Sequence, residues 1–134
     1  QTLALVDLDR SQAPRGAVTG ASTLTLLDND GGRLSQNFKL VLRHPIGPDP
    51  QLLDSADFDR DGHPDLLAAS ASEPTLSLLF GSGTGDLRRA GTTVRLAAPA
   101  AALSIGDWNR DAVLDLAVVT GAPPQLHVLL GGGQ

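Results

Sequence analysis

Apolar and polar residues alternate along short segments of this chain, and clusters of Gly, Pro, Asp and Ser separate these segments. Leu76, Leu78 and Phe80 alternate with Ser77 and Leu79, which is typical of a half-buried strand. We predict strands near Gln51–Asp57, Asp65–Ser70, Thr75–Phe80 and Thr92–Ala97. Four short strands separated by turns at this spacing are typical of one β-propeller blade.

The same pattern recurs with a period of fifty residues. Asp7, Asp57 and Asp107 occupy equivalent positions, each within an Asp-rich segment that follows an apolar run. Downstream of Asp57 and Asp107 the second and third copies align without a gap, whereas the apolar run Thr23–Leu27 of the first copy is shifted by two residues. The chain therefore divides into repeats at residues 1–50, 51–100 and 101–134.

The predicted fold is all-β, built from propeller blades of four antiparallel strands. The third repeat reaches Gln134 after its third strand, so the sequence holds about two and three-quarter blades, where a closed ring has roughly four to eight. We expect either an incomplete propeller or part of an assembled ring. Open blade edges can pair with another chain, so self-association is expected. A β-sandwich or barrel with accidental internal similarity is the alternative.

The second repeat contains acidic residues at positions one, three, five and nine of a short loop. The predicted ligands are the carboxylates of Asp57, Asp59, Asp61 and Asp65 and the backbone carbonyl of His63. Gly62 at position six permits a sharp turn, as in other calcium loops. Clustered carboxylates repel one another without a cation, and Ca²⁺ accepts six to eight hard oxygen ligands in flexible geometry. Mg²⁺ is the second candidate.

The loop has two other interpretations. A helix-loop-helix calcium motif requires Glu at position twelve and flanking helices, but position twelve is Ala68 in a strand-like run. A solvated Asp-rich turn without metal is the simpler alternative. In the first repeat, Ser11 and Arg15 stand where ligands are expected, so we predict no tight calcium site there.

Composition narrows the function further. The formal net charge is -5, and fourteen of the fifteen acidic residues are Asp, which argues against a nucleic-acid partner. No apolar run is long enough for membrane insertion. The absence of cysteine excludes thiolate and disulfide chemistry. The three histidines, His44, His63 and His127, form no recognisable catalytic set with the other residues, so we predict no enzymatic activity.

The segment from Asp57 to Leu66, together with Leu79-Phe80-Gly81, resembles the FG-GAP repeat, also called the VCBS repeat. That family includes the blades of the integrin α-subunit propeller and many bacterial surface and secreted proteins. The resemblance implies calcium in the loop between the first two strands of a blade. Carried over to the third repeat, it implies the ligands Asp107, Asn109, Asp111, the Val113 carbonyl and Asp115, with Ala112 in place of the glycine.

The resemblance also implies a secreted or cell-surface location and a role in adhesion or ligand interaction. We therefore predict a calcium-binding interaction scaffold whose protein or glycan ligand the sequence does not name. A carbohydrate-binding lectin and a non-catalytic propeller fragment of a larger secreted enzyme are the alternatives. Only four aromatic residues occur, which disfavours a sugar-stacking surface.

Overall fold

A computed structural model describes residues 3–6, 15–28, 39–84, 86–88 and 91–132. Within these residues, eleven strands form three antiparallel sheets. The first sheet contains β1 (Leu3–Val6), β2 (Arg15–Thr19), β3 (Thr23–Asp28) and β4 (Lys39–Pro45). The second contains β5 (Pro50–Ala56), β6 (Asp65–Ser70), β7 (Thr75–Leu79) and β8 (Thr92–Arg95). The third contains β9 (Ala100–Gly106), β10 (Asp115–Thr120) and β11 (Gln125–Leu129).

Strands that are consecutive along the chain lie next to each other in every sheet. This up-and-down order is that of a propeller blade, and it confirms the predicted all-β fold with propeller-like blades. The three sheets do not by themselves close a ring. Across the described segments, no helix is both long and apolar enough to cross a membrane.

The predicted strands of the second repeat agree with the observed ones to within two residues at each end. The agreement is close because period-two alternation and Gly- or Pro-containing turns mark both limits of each strand. His44, which precedes Pro45, lies near the end of β4, where its side chain is buried.

The core consists of two apolar layers, one on each face of the second sheet. On one face, Leu66 packs in a cluster with Leu24 and Leu26 of the first sheet. On the other face, Leu76 packs in a cluster with Val118 of the third sheet. Every residue of β6 is buried, because a neighbouring sheet covers this strand on each side. Successive side chains of β6 therefore pack alternately against the first sheet and against the third sheet.

The first strands of successive sheets contact one another, β1 with β5 and β5 with β9. The loops that follow β5 and β9 therefore lie close together. Phe58 of the earlier loop and Val113 of the later loop line the same cavity. The fold thus brings two of the predicted Asp-rich loops to the same end of neighbouring sheets.

Leu76 and its counterpart Leu126, fifty residues later, give a matched test of this packing. Leu76 is 0% exposed and Leu126 is 67% exposed. We expect Leu76→Ala to lower the free energy of unfolding by about 2–5 kcal/mol, because it removes buried methyl groups and leaves a cavity. Leu126→Ala should change it by no more than about 0.5 kcal/mol in dilute protein. Urea unfolding measures both, and equal losses would contradict the assigned layers.

Candidate metal centre

The loop between β5 and β6 brings three carboxylates together. Asp57, Asp59 and Asp61 each place one carboxylate oxygen within 4.8 Å of those of the other two. Asp57 directly follows the last residue of β5, so the strand fixes the position of this side chain. Three carboxylates at this separation repel one another unless a cation lies among them.

The backbone of the loop folds tightly around these side chains. Arg60 has a φ of 59° and Gly62 a φ of 88°, so two residues of this short turn adopt the left-handed conformation. The Asp61 N–H donates to Asp59 Oδ1 at 3.1 Å, and the Gly62 N–H donates to Asp57 Oδ2 at 2.9 Å. These hydrogen bonds hold the acidic side chains turned inward toward their own loop.

Asp57 has one oxygen that these hydrogen bonds do not use. Its Oδ2 accepts the Gly62 N–H, whereas its Oδ1 is buried and has no hydrogen-bond partner among the described residues. Leaving a buried carboxylate oxygen without a partner costs free energy. A cation bound beside Asp59 and Asp61 would satisfy this oxygen, so the residues present fit a divalent metal ion.

Arg88, from the connection between β7 and β8, reaches the same carboxylates. Its Nη1 lies 3.5 Å from Asp59 Oδ2, and its Nη2 pairs with Asp61 Oδ2. The Arg88 side chain is 48% exposed, so water screens this interaction strongly. The guanidinium offsets part of the repulsion within the loop. It also occupies oxygens that a metal ion would need.

Asp65, the first residue of β6, holds the two ends of the loop in place. Its side chain is 0% exposed. Its Oδ2 accepts the Phe58 N–H at 2.7 Å, and its Oδ1 accepts the Gly81 N–H at 2.8 Å. One carboxylate thus joins the start of the loop, the start of β6 and the residues that follow β7.

The loop between β9 and β10 repeats this arrangement. Asp115 accepts the Trp108 N–H at 2.9 Å and the Gly131 N–H at 2.9 Å. The Ala112 N–H donates to Asp107 Oδ2 at 3.0 Å, as the Gly62 N–H does to Asp57. Ala112 has a φ of 63°, a conformation that favours glycine, so the alanine at this position strains the turn.

The charge states of the loop carboxylates follow from their surroundings. The hydrogen bond from the His63 N–H lowers the pKa of Asp61. The hydrogen bond from the Gly131 N–H likewise lowers the pKa of Asp115, whereas burial raises the pKa of Asp65. Both carboxylates are buried, but the effect of burial outweighs the hydrogen bonds at Asp65, whereas the hydrogen bonds outweigh burial at Asp115.

Residues 57–118 match the family model of the FG-GAP-like repeat. The match begins at Asp57 and ends at Val118, so it contains both described Asp loops and β6 to β9. This segment is therefore similar to the FG-GAP-like repeat. The family resemblance predicted from the sequence is thereby confirmed. A search of curated proteins returns no match to the chain.

A glycine of the FG-GAP-like repeat has a steric explanation. Gly81 donates its N–H to Asp65, and a Cβ at this position would collide with the Pro64 carbonyl oxygen. Gly131 has the same relation to Asp115 and the Leu114 carbonyl. Only glycine allows the backbone after the third strand to come this close to the loop.

The structure places the predicted ligands of the FG-GAP-like repeat in two groups. The carboxylates of Asp57, Asp59 and Asp61 converge, and in the later loop Asn109 Nδ2 donates to Asp111 Oδ2 at 2.9 Å beside Asp107. The carboxylates of Asp65 and Asp115 accept hydrogen bonds from backbone N–H groups. That these two carboxylates also bind the metal stays a prediction. Metal binding by the backbone carbonyls of His63 and Val113 likewise stays a prediction. The loop of the first repeat, residues 7–14, lies outside the described residues.

Arg88 contacts the candidate site but was not predicted from the sequence. It lies 27 residues after Asp61, and no motif links the two positions. The only available signal is its place two residues after Asp86, in the turn that follows Phe80-Gly81. That position does not reveal which loop the side chain contacts.

Substituting Asp65 tests its role as a structural carboxylate. Asp65→Ala leaves the Phe58 and Gly81 N–H groups without an acceptor, so we expect the free energy of unfolding to fall by about 2–5 kcal/mol. Asp65→Asn retains one acceptor oxygen and should cost less. Urea unfolding in excess chelator separates this effect from any metal. Asp54→Ala, at an exposed position, is the control, and a loss no larger than the control's would refute the role.

Proposed function

We propose that this chain is a calcium-binding FG-GAP-type interaction module of a secreted or cell-surface protein. The observations that carry the proposal are the convergence of the Asp57, Asp59 and Asp61 carboxylates and the buried Oδ1 of Asp57, which has no hydrogen-bond partner among the described residues. The FG-GAP-like repeat and the propeller-like sheets support an interaction module.

The donor set favours calcium over other metals. The converging ligand atoms are carboxylate oxygens, which hard cations prefer, and the chain has no cysteine for softer metals. A bound Ca²⁺ would supply positive charge that offsets the repulsion among these carboxylates. Mg²⁺ demands near-octahedral geometry and keeps several waters, so the irregular loop suits it less well.

The aspartates of the loop have two different roles in the proposed site. Asp57, Asp59 and Asp61 supply the converging oxygens, and Asp65 keeps the loop anchored to β6 through its backbone hydrogen bonds. In the third repeat Asn109 replaces one carboxylate with a neutral amide, so we expect weaker binding there. The ion then acts as a structural clamp between adjacent strands, and the module is not an enzyme.

The exposure of the site is consistent with an extracellular setting. Asp59 and Asp61 have side chains that are 29% and 23% exposed, so water competes for the ion. Calcium sites of extracellular modules have dissociation constants of about 0.1–1 mM, which suit surroundings rich in calcium. We infer that this site belongs to that class.

Calcium should stabilise the protein in a manner that depends on the loop carboxylates. In 10 mM CaCl₂ we expect a melting temperature roughly 5–10 °C above that in excess chelator, because the ion binds only the folded state. Asp59→Ala and Asp61→Ala should each remove most of this difference. Differential scanning calorimetry measures it.

Asp54→Ala serves as the control because Asp54 is an exposed acid on β5, outside the loop. This variant should retain the full calcium response. A response that is absent in the unmodified protein, or that survives in both loop variants, would overturn the proposed calcium site.

Arg88 should compete with the ion for Asp59 and Asp61. We expect Arg88→Gln to tighten calcium binding about two- to fivefold, since an exposed ion pair contributes roughly 0.2–1 kcal/mol. Without calcium, the same variant should melt slightly lower. Arg95→Gln, which removes a positive charge from exposed β8, controls for net charge. Isothermal titration calorimetry distinguishes them, and equal affinities would argue against competition.

A further inference from the structure

One face of the third sheet is covered and the other is exposed. Leu116 and Val118 of β10 pack against the second sheet. On the opposite face, Leu126 and Val128 of β11 are 67% and 50% exposed. Trp108, from the loop before β10, is 47% exposed. We call Trp108, Leu126 and Val128, together with the small residues Ala117 and Val119 between them, the open face.

The chain itself shows what covers such a face. Fifty residues earlier, the equivalents of Trp108, Leu126 and Val128 are Phe58, Leu76 and Leu78. All three belong to the apolar layer between the second and third sheets, and Leu76 is fully buried there. The open face thus repeats, residue for residue, a surface that another sheet of the same kind covers.

Equivalent residues of the three repeats also identify the surface that would cover the open face. Leu79 of the second sheet packs in a cluster with Leu26, and Leu129 of the third sheet packs in a cluster with Leu78. The equivalent of Leu79 and Leu129 in the first repeat is Leu27. Leu27 is adjacent to Leu26 on β3, so it lies on the opposite face of the first sheet, which no described sheet covers.

We propose that a second copy of this chain docks on the open face. The docking surface is the face of its first sheet that carries Leu27. The contact continues the interface already formed twice within the chain and places Leu27 against the apolar residues of the open face. The same face of the first sheet also carries Thr25 and its cross-strand partner Arg43, which is exposed. Because the two surfaces differ, the contact is head-to-tail and can propagate until a ring closes.

This contact between chains does not depend on calcium binding, because the open face lies outside the three converging carboxylates of the loop between β5 and β6. It also differs from pairing at strand edges, which would use backbone hydrogen bonds of β4 or β11 rather than the apolar side chains of the open face. The two modes of association therefore respond differently to substitutions on β11.

Sedimentation velocity of the 134-residue chain tests the proposal directly. We expect association that increases with protein concentration, and we expect the double variant Leu126→Asp with Val128→Asp to remain monomeric. Both residues are exposed in the single chain, so the variant should fold, which far-UV circular dichroism and thermal melting verify. Gln125→Asp adds a charge to the same strand at an exposed position on the other face and should associate normally.

Cysteine crosslinking identifies the two faces, because the chain has no cysteine of its own. We expect an equal mixture of Leu27→Cys and Val128→Cys chains to form mixed disulfide dimers well above the level of either variant alone. Three results would each overturn the proposal. These are a monomeric unmodified chain at millimolar concentration, undiminished association of the double variant, and no excess of the mixed dimer.

Discussion

The structure depends on a buried aspartate at the start of the second strand of a repeat. Asp65 and Asp115 are each 0% exposed, and each accepts backbone N–H groups from the loop before it and from the segment after the third strand. These two attachments join three parts of one sheet through a single carboxylate. Such an arrangement requires glycine at the distant donor, since Gly81 and Gly131 pass too close to a carbonyl oxygen for any side chain.

This anchor explains why the acidic loop has a defined shape. With Asp65 fixing both ends, the chain between them is short, and it turns through the positive φ of Arg60 and Gly62. The carboxylates of Asp57, Asp59 and Asp61 then face one another, a repulsive arrangement that Arg88 only partly offsets. An anchored loop of this kind is preorganised for a cation, because the free energy of bringing the carboxylates together comes from the rest of the sheet.

The strands and the loops of the second and third repeats could be predicted from the sequence, because alternation and the fifty-residue period specify them locally. The two roles of aspartate could not be separated in this way. The motif predicts Asp65 as a fourth metal ligand. In the structure its two oxygens accept hydrogen bonds from the Phe58 and Gly81 N–H groups. Gly81 lies sixteen residues after Asp65, so the motif does not reveal this contact. Arg88 was missed for the same reason, since the contact arises from folding of the β7–β8 connection and not from spacing along the chain.

We propose that the loop from Asp57 to Asp65 is a preorganised calcium site. A calcium titration followed by NMR of the backbone amides tests this proposal, because each loop carboxylate accepts a hydrogen bond from an identifiable N–H group. We expect saturable shifts of the Asp61, Gly62 and His63 amide signals. The signal of the Gly81 amide, which is hydrogen-bonded to Asp65 at 2.8 Å, should move little, and this amide should stay protected from exchange. Shifts that are absent, or spread evenly over acidic residues outside the loops, would contradict it.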